Sequence, residues 1–337
     1  MLNEQNVDIM NDVEIYKNFT LIAKCPAVET FQWTRRFSRP GEFMLTTNFT
    51  QENMEIYSVG NIIFKRDNNE GAFITGRTVM ATMEGDMRLI VKGHALSSLL
   101  NRRMVTLNGD FTLTPLLSNI VVNNFLASAG TARSMVNDGV RLLPIPQFSN
   151  ESIPVEYRNR NALDIFNDLC QEHHVGLRVN YNIANKTYDI EFYQPTESIA
   201  IFDKEWGNVL EQDFWEDTSR EKNVVLVGDN FVHNNHIIGF DRKEVAASEP
   251  REGATRFTQT ARDTLNRNRA TRTLSSQIDV NSVQFQYGKD WDIGSIVLSQ
   301  NREIGFAEKE IITEIMEFYD QTGRSIEVNT GDYTERG

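Results

Sequence analysis

The amino-acid sequence predicts an α+β, β-rich chain in which two small β modules, β-barrel-like or sandwich-like, flank an α+β middle unit. Three observations predict it. Short runs of β-branched and aromatic residues, separated by turn residues, fill the first third and return in the last third. Between them the apolar spacing switches to the helical period. Pro144, Pro146 and Pro154 mark an extended connector inside that middle stretch. The expected division is a first module over 1–110, a middle region over 111–205 with a helix plus hairpin at 155–195, and a second module over 206–337. The second module carries a polar, Arg-rich insertion at 249–276.

Strands are expected at Val13–Ala23, Thr30–Phe37, Phe43–Phe49, Ile56–Phe64, Ala72–Met83 and Met87–Val91, broken by turns such as Arg39-Pro40-Gly41. Pro pre-sets φ there and Gly accepts a positive φ. Leu117, Ile120, Val121 and Phe125 place one apolar helical face, with Gly130 as a stop signal. Leu163, Phe166, Leu169 and Cys170 define a second helix. Alternation at Val175–Tyr181 and Tyr188–Phe192, with a turn over Asn182–Lys186, gives the hairpin it covers. The last third reads as strands at Val224–Val227, Ile237–Phe240, Val283–Tyr287, Ile293–Leu298, Ile311–Phe318 and Ser325–Val328, with one helix near Gln259–Asn268.

Composition bounds the function. The 337 residues carry 34 Lys+Arg and 47 Asp+Glu, a formal charge of −13, which argues against a general nucleic-acid binder. No apolar stretch is long enough for a membrane-spanning helix. The first twenty residues lack a basic region followed by an apolar one, so no secretory signal is expected. Two distant cysteines, Cys25 and Cys170, supply no disulfide framework. A soluble protein made in a reducing cytoplasm is the plain expectation.

Candidate chemistry is sparse. His233 and His236 flank an Asn-Asn turn and His173 and His174 are adjacent, but no third ligand accompanies either pair, so no metal is expected. No nucleophile elbow or phosphate-cradling glycine motif occurs, and no cofactor is expected. Acid pairs at Glu211/Asp213, Glu216/Asp217 and Asp290/Asp292 have the composition a glycosidase uses, yet 47 acids make such pairs ordinary. The one local charge anomaly is basic: Arg251, Arg256, Arg262, Arg267, Arg269 and Arg272. It reads as a solvated face, an interface for a protein partner or subunit, or, least, a phosphate contact. No catalytic constellation emerges, and a binding or structural protein is expected.

Several segments together resemble a known family. Phe31-Gln-Trp-Thr-Arg-Arg-Phe-Ser-Arg-Pro-Gly-Glu-Phe-Met-Leu, with Gly41 at its turn, resembles the N-terminal signature of the tail hub family of siphovirus-type phages and prophages. Gly93-His94 followed by Leu96–Arg103 is similar to that family's glycine and short Arg-bearing helix. Arg251-Glu-Gly-Ala-Thr-Arg resembles its Gly/Arg segment with an altered order of charges. Tyr287-Gly-Lys-Asp-Trp-Asp-Ile-Gly-Ser-Ile-Val, with Asp290, Trp291 and Gly294, and then Ile312-Thr-Glu-Ile resemble its closing strands, with Ser295 where an acid is commoner. The resemblance implies a structural baseplate-hub-like subunit of a virion tail or tailocin, assembled in the bacterial host cytoplasm. It implies a homotrimeric ring joining the tail tube, tape-measure protein and distal tail protein to the tip and its fibres, with the genome passing through its lumen. It also implies no specific nucleic-acid contact and no membrane insertion. Gly337 falls just after the last family strand, so a hub without an appended lytic domain is expected. The alternatives are a tail-associated peptidoglycan-degrading enzyme using Asp290/Asp292, or a carbohydrate-binding tail module if Trp33, Trp206, Trp215 or Trp291 lined a groove.

Overall fold

The computed structural model describes residues 13–24, 28–67, 69–81, 85–229, 231–247, 254–279, 282–320 and 322–333, with 254–256, 259, 263, 267, 271, 273 and 332 by backbone alone. The chain divides into two compact units, Met1–Gln212 with Ser276–Gly337, and Asp213–Ser275.

The larger unit opens with β1 (Val13–Lys17) and β2 (Thr20–Lys24), a hairpin whose turn residues Asn18 and Phe19 both take positive φ. β3 (Thr30–Arg36) and β4 (Glu42–Asn48) follow, then helix α1 (Gln51–Ile56), β5 (Ile62–Lys65), β6 (Glu70–Ala81) and β7 (Met87–Ala95). Their antiparallel pairing runs β1-β5-β6-β7-β4-β3. Alternate residues point inward, so Phe31, Trp33, Phe43, Leu45, Ile63 and Val91 build one core. Gly93 sits where this sheet is tightest. A Cβ there would lie 1.8 Å from the Phe73 carbonyl oxygen and 2.6 Å from the Phe43 ring.

The middle segment supplies a 3-10 turn (Leu96–Arg102), β8 (Met104–Phe111), α2 (Leu113–Asn124), β9 (Val140–Leu142), β10 (Ile153–Asn161), α3 (Ala162–Glu172), β11 (Gly176–Asn182) and β12 (Thr187–Tyr193). The Asn161 side chain accepts the Leu163 amide (2.9 Å) and so caps α3. Its apolar face buries Ile165, Phe166, Leu169 and Cys170 in the largest core, shared with Leu117, Ile120 and Phe192. Burial pushes the Cys170 thiol up, as expected of an inert structural cysteine.

The closing part begins with β13 (Thr196–Phe202) and β14 (Val209–Asp217). The smaller unit then holds β15 (Val224–Val227), β16 (Phe231–His233), β17 (Glu244–Ala247) and α4 (Ala254–Arg267). Its sheet runs β16-β15-β17, and its core is thin: Val225, Val227 and Ala261, backed by Phe231, Val245, Phe257 and Leu265. β18 (Thr271–Ile278), β19 (Ser295–Asn301), β20 (Phe306–Asp320) and β21 (Gly323–Asp332) complete the chain.

β20 decides the architecture. Its first half pairs with β19 (Ile296↔Ile311) and its second half with β3 (Glu317↔Trp33), while β21 runs along its other edge. The two expected β modules are therefore fused into one 16-stranded sheet, and no pairing among the described residues closes either of them into a barrel.

Local differences from the sequence reading have local causes. Ile56–Phe64 is not one strand: Thr50 caps α1 by accepting the Asn53 amide (3.0 Å), and the strand starts only at Ile62. Val13–Ala23 is a hairpin rather than a single strand. Ile237–Phe240 ends in a 3-10 turn at Gly239 (φ 69°), and Val283–Tyr287 is turned at Phe285 (φ 55°) despite its strand-like alternation. The expected helix near Gln259–Asn268 begins earlier, at Ala254.

Candidate functional site

The strongest polar feature of the larger unit is a buried ionic chain, carried by side chains from β3, β5, β6, β20, β21 and the loop before β19. Arg35 on β3, 3% exposed, donates to Glu70 from Nε (3.0 Å) and Nη2 (2.7 Å), to the Tyr287 hydroxyl (2.9 Å), and to Asp292. Tyr287 in turn donates to Glu317 Oε1 (3.0 Å). Glu317, fully buried, also accepts from Lys65 Nζ (3.1 Å), Arg324 Nη2 (2.6 Å) and the Tyr319 hydroxyl. Lys65 is 2% exposed and also meets Asp67. Burial alone would raise the Glu317 pKa, but Lys65 and Arg324 outweigh it and hold the carboxyl at about 2. The same burial, with Glu317 alongside, pushes the Tyr319 phenol well up. Beside Arg35 and Glu70 lies a cavity of about 30 Å³, room for one water and no larger ligand.

The closing motif builds part of this chain. Asp290 accepts the Gln286 amide (2.7 Å) and folds its turn, while Trp291 stacks on Tyr287 (4.9 Å) and donates to the Phe285 carbonyl (2.5 Å). The Asp292 amide donates to Ser295 Oγ (2.9 Å), which aims the carboxylate at Arg35. Gly294 takes a φ of 81°, and a Cβ there would strike the Phe37 ring at 2.6 Å. Gly41 is as confined: a Cβ would lie 2.0 Å from the Thr34 carbonyl oxygen. Asp290 and Asp292 thus have separate structural tasks.

The other sequence candidates fall apart in space. Arg251 and Cys25 lie outside the described residues. Arg256 and Arg267 lie on α4, Arg262 is exposed on the same helix, and Arg269 is exposed just past its end. Arg272 Nε donates to Glu216 (2.7 Å), so part of the basic run is neutralised within its own unit. His233 ends β16 against Phe231, and no group of three metal-ligating side chains occurs among the described residues. Trp33 and Trp291 are core residues, Trp206 packs on Phe285, and Trp215 stands exposed on β14.

Sequence reasoning missed Arg35, Lys65, Glu70 and Glu317, whose partners lie up to 257 residues away, beyond any spacing rule. It also missed a groove of about 740 Å³ between the β1–β2 turn, the 135–141 segment and the start of β12. Phe73, Tyr188 and Phe19 wall it, Arg102 lies over Phe73 (5.1 Å), and Arg141, Lys186 and Asp138 rim it.

No match was found among curated protein sequences. Solved structures share the fold along nearly the whole chain. The tail protein of Neisseria meningitidis MC58 superposes with a TM-score of 0.64 at 11% identity, covering 95% of this chain and 96% of that one. The 43 kDa tail protein of prophage MuSo2 from Shewanella oneidensis gives 0.62 at 13%, with 95% and 96% covered. Prophage tail protein gp18 of Listeria monocytogenes EGD-e gives 0.60 at 12%, with 96% and 95% covered. At such identities the shared property is the fold. Residues 7–332 match the model of the Siphovirus ReqiPepy6 Gp37-like proteins, and with nearly the whole chain inside that match, the protein belongs to this family.

Proposed function

We propose that the protein is a non-catalytic structural subunit of the tail of a phage, prophage or phage-tail-like particle, a hub that assembles as a homotrimeric ring between the tail tube and the tip. The observation that carries this reading is the siphovirus family match over 7–332, joined to a whole-chain fold shared with three tail proteins. The chemistry agrees with it: Asp292 and Asp290, the acid pair of the wall-degrading alternative, are engaged in holding Arg35 and a turn. In such a ring the distal tail protein, tube or tape-measure protein and tip or fibre proteins are the neighbours. An acidic chain lets a DNA genome pass without adhering, because like charges repel at short range. No helix among the described residues is long and apolar enough to cross a membrane.

The first test is the absolute mass of the purified protein by light scattering. The ring reading requires three times the 38.6 kDa subunit, a closed cyclic assembly. A zymogram on purified cell walls tests the absence of catalysis. Clearing that vanishes in Asp290→Asn would overturn it.

The 251–272 arginine run, with Arg262 exposed on α4 and Arg269 exposed just past its end, is the proposed contact for a neighbouring acidic tail protein. The triple change Arg262→Glu, Arg267→Glu and Arg269→Glu should abolish co-purification with the distal tail protein. Unchanged co-purification would remove that role from the arginines.

A further inference from the structure

The groove and one strand of the same chain have complementary chemistry. Residues two apart on a strand share a face, so Glu211, Asp213, Trp215 and Asp217 form one stripe on β14, three carboxylates around an indole. Trp215 is 57% exposed, and Glu211 and Asp213 have no ion-pair partner among the described residues. The groove carries the opposite pattern. Arg102, Arg141 and Lys186 rim it against a single acid, Asp138, in a chain of net charge −13. None of these three cations is ion-paired among the described residues. Part of its wall is apolar and aromatic, with Phe73, Leu99, Met135 and Tyr188, set beside the polar Asn18, Asn137 and Asn185. A volume of about 740 Å³ is ample for an indole and its flanking backbone.

We propose that the acidic, Trp215-bearing face of β14 of one copy seats in the Arg102–Arg141–Lys186 groove of the next copy. Such a contact joins two different patches, so it is heterologous, and repetition around an axis closes a ring. Trp215 fills the apolar wall as the anchor, a residue type that dominates interface energetics when it enters a pocket. Glu211 and Asp213 meet the cationic rim, and charges so placed govern encounter and register. This rests on the ring reading above and assigns its subunit contact.

The experiment is a charge swap read by light scattering at several protein concentrations and at low and high salt. Arg141→Glu with Lys186→Glu should reduce the assembly to the 38.6 kDa subunit, as should Glu211→Lys with Asp213→Lys. Combining all four changes in one chain should restore the wild-type mass, because each face then meets its new complement. Trp215→Ala should weaken self-association at least tenfold with an unchanged unfolding midpoint. An assembly indifferent to both double variants overturns the contact while leaving the ring intact. Failure of the combined variant to reassemble overturns it too. A wild-type protein that stays monomeric at every concentration overturns the contact and the ring together.

Discussion

In the larger unit, charged side chains are taken out of water and held by one another, as Glu317 is by Lys65, Arg324, Tyr287 and Tyr319. In the smaller unit the ion pairs lie at the surface, Arg272 with Glu216 and Lys243 with Glu221. The apolar side chains follow the opposite order. The larger unit packs its aromatic residues into extended cores, whereas in the smaller one Phe214, Trp215, Ile238 and Phe240 stay exposed around a thin core. A buried ionic chain makes each member costly to lose and fixes which strands must meet. Exposed apolar residues on a small unit mark surface that awaits a partner. The contrast is one of packing: the larger unit buries its charges and rings together, and the smaller unit leaves much of both at its surface.

The sharpest way to break the contrast is to remove one partner from the buried chain. Glu317→Gln keeps the shape but leaves buried Lys65 with only Asp67 and takes the Glu317 carboxylate from Arg324, a change that costs about 3 kcal/mol. Chemical denaturation followed by Tyr and Trp fluorescence should show the unfolding free energy fall by that amount. A loss below about 1 kcal/mol would place the ionic chain with ordinary surface pairs.

Acid reproduces this substitution by titration. The Glu317 carboxyl is held at about 2 in the folded chain, below its ordinary value of 4.5. A depressed carboxylate contributes stability that is full above its unfolded pKa and fades as the pH falls toward its folded one. The larger unit should therefore lose a few kcal/mol between about pH 4.5 and about pH 2. In Glu317→Gln that segment of the pH–stability curve should flatten. A variant curve as steep as the wild type would assign the acid sensitivity to other groups.

Packing gives a somewhat smaller effect. In Gly93→Ala the new methyl meets the Phe73 carbonyl at 1.8 Å, and backbone must shift to admit it. About 2 kcal/mol of destabilisation is expected from such overpacking. Thermal unfolding by circular dichroism reads it, and an unchanged midpoint would show that β6 and β7 separate easily.

Legibility in the sequence followed the range of the interaction. Helix α3 and the β11–β12 hairpin were readable because Leu163, Phe166, Leu169 and Cys170, and the alternation after Val175, are local patterns. The segment Val283–Tyr287 alternates equally well, yet tertiary contacts bend it: Trp291 donates to the Phe285 carbonyl and Tyr287 reaches Arg35 and Glu317. The motif glycines were visible as motif positions, but what confines Gly93 is Phe73, a neighbour only across the sheet. The ionic chain was invisible for the same reason, since Arg35 meets residues 35, 252 and 257 positions away. The fusion of the two β modules through β20 depends on one strand long enough to serve β19 and β3 in turn, and periodicity does not count partners.

The smallest expected effect tests the other side of the comparison. Arg272 and Glu216 are each about half exposed and pair at 2.7 Å. Water screens such a pair, and holding two long side chains together costs entropy, so Arg272→Ala should change stability by less than about 1 kcal/mol. The loss should shrink further in high salt. Measured beside Glu317→Gln in the same denaturation series, the two variants bracket what one ion pair contributes in each unit. If Arg272→Ala instead unfolded the smaller unit, its thin core would be insufficient alone. The basic run would then be a structural clamp on β14 rather than surface held for a partner.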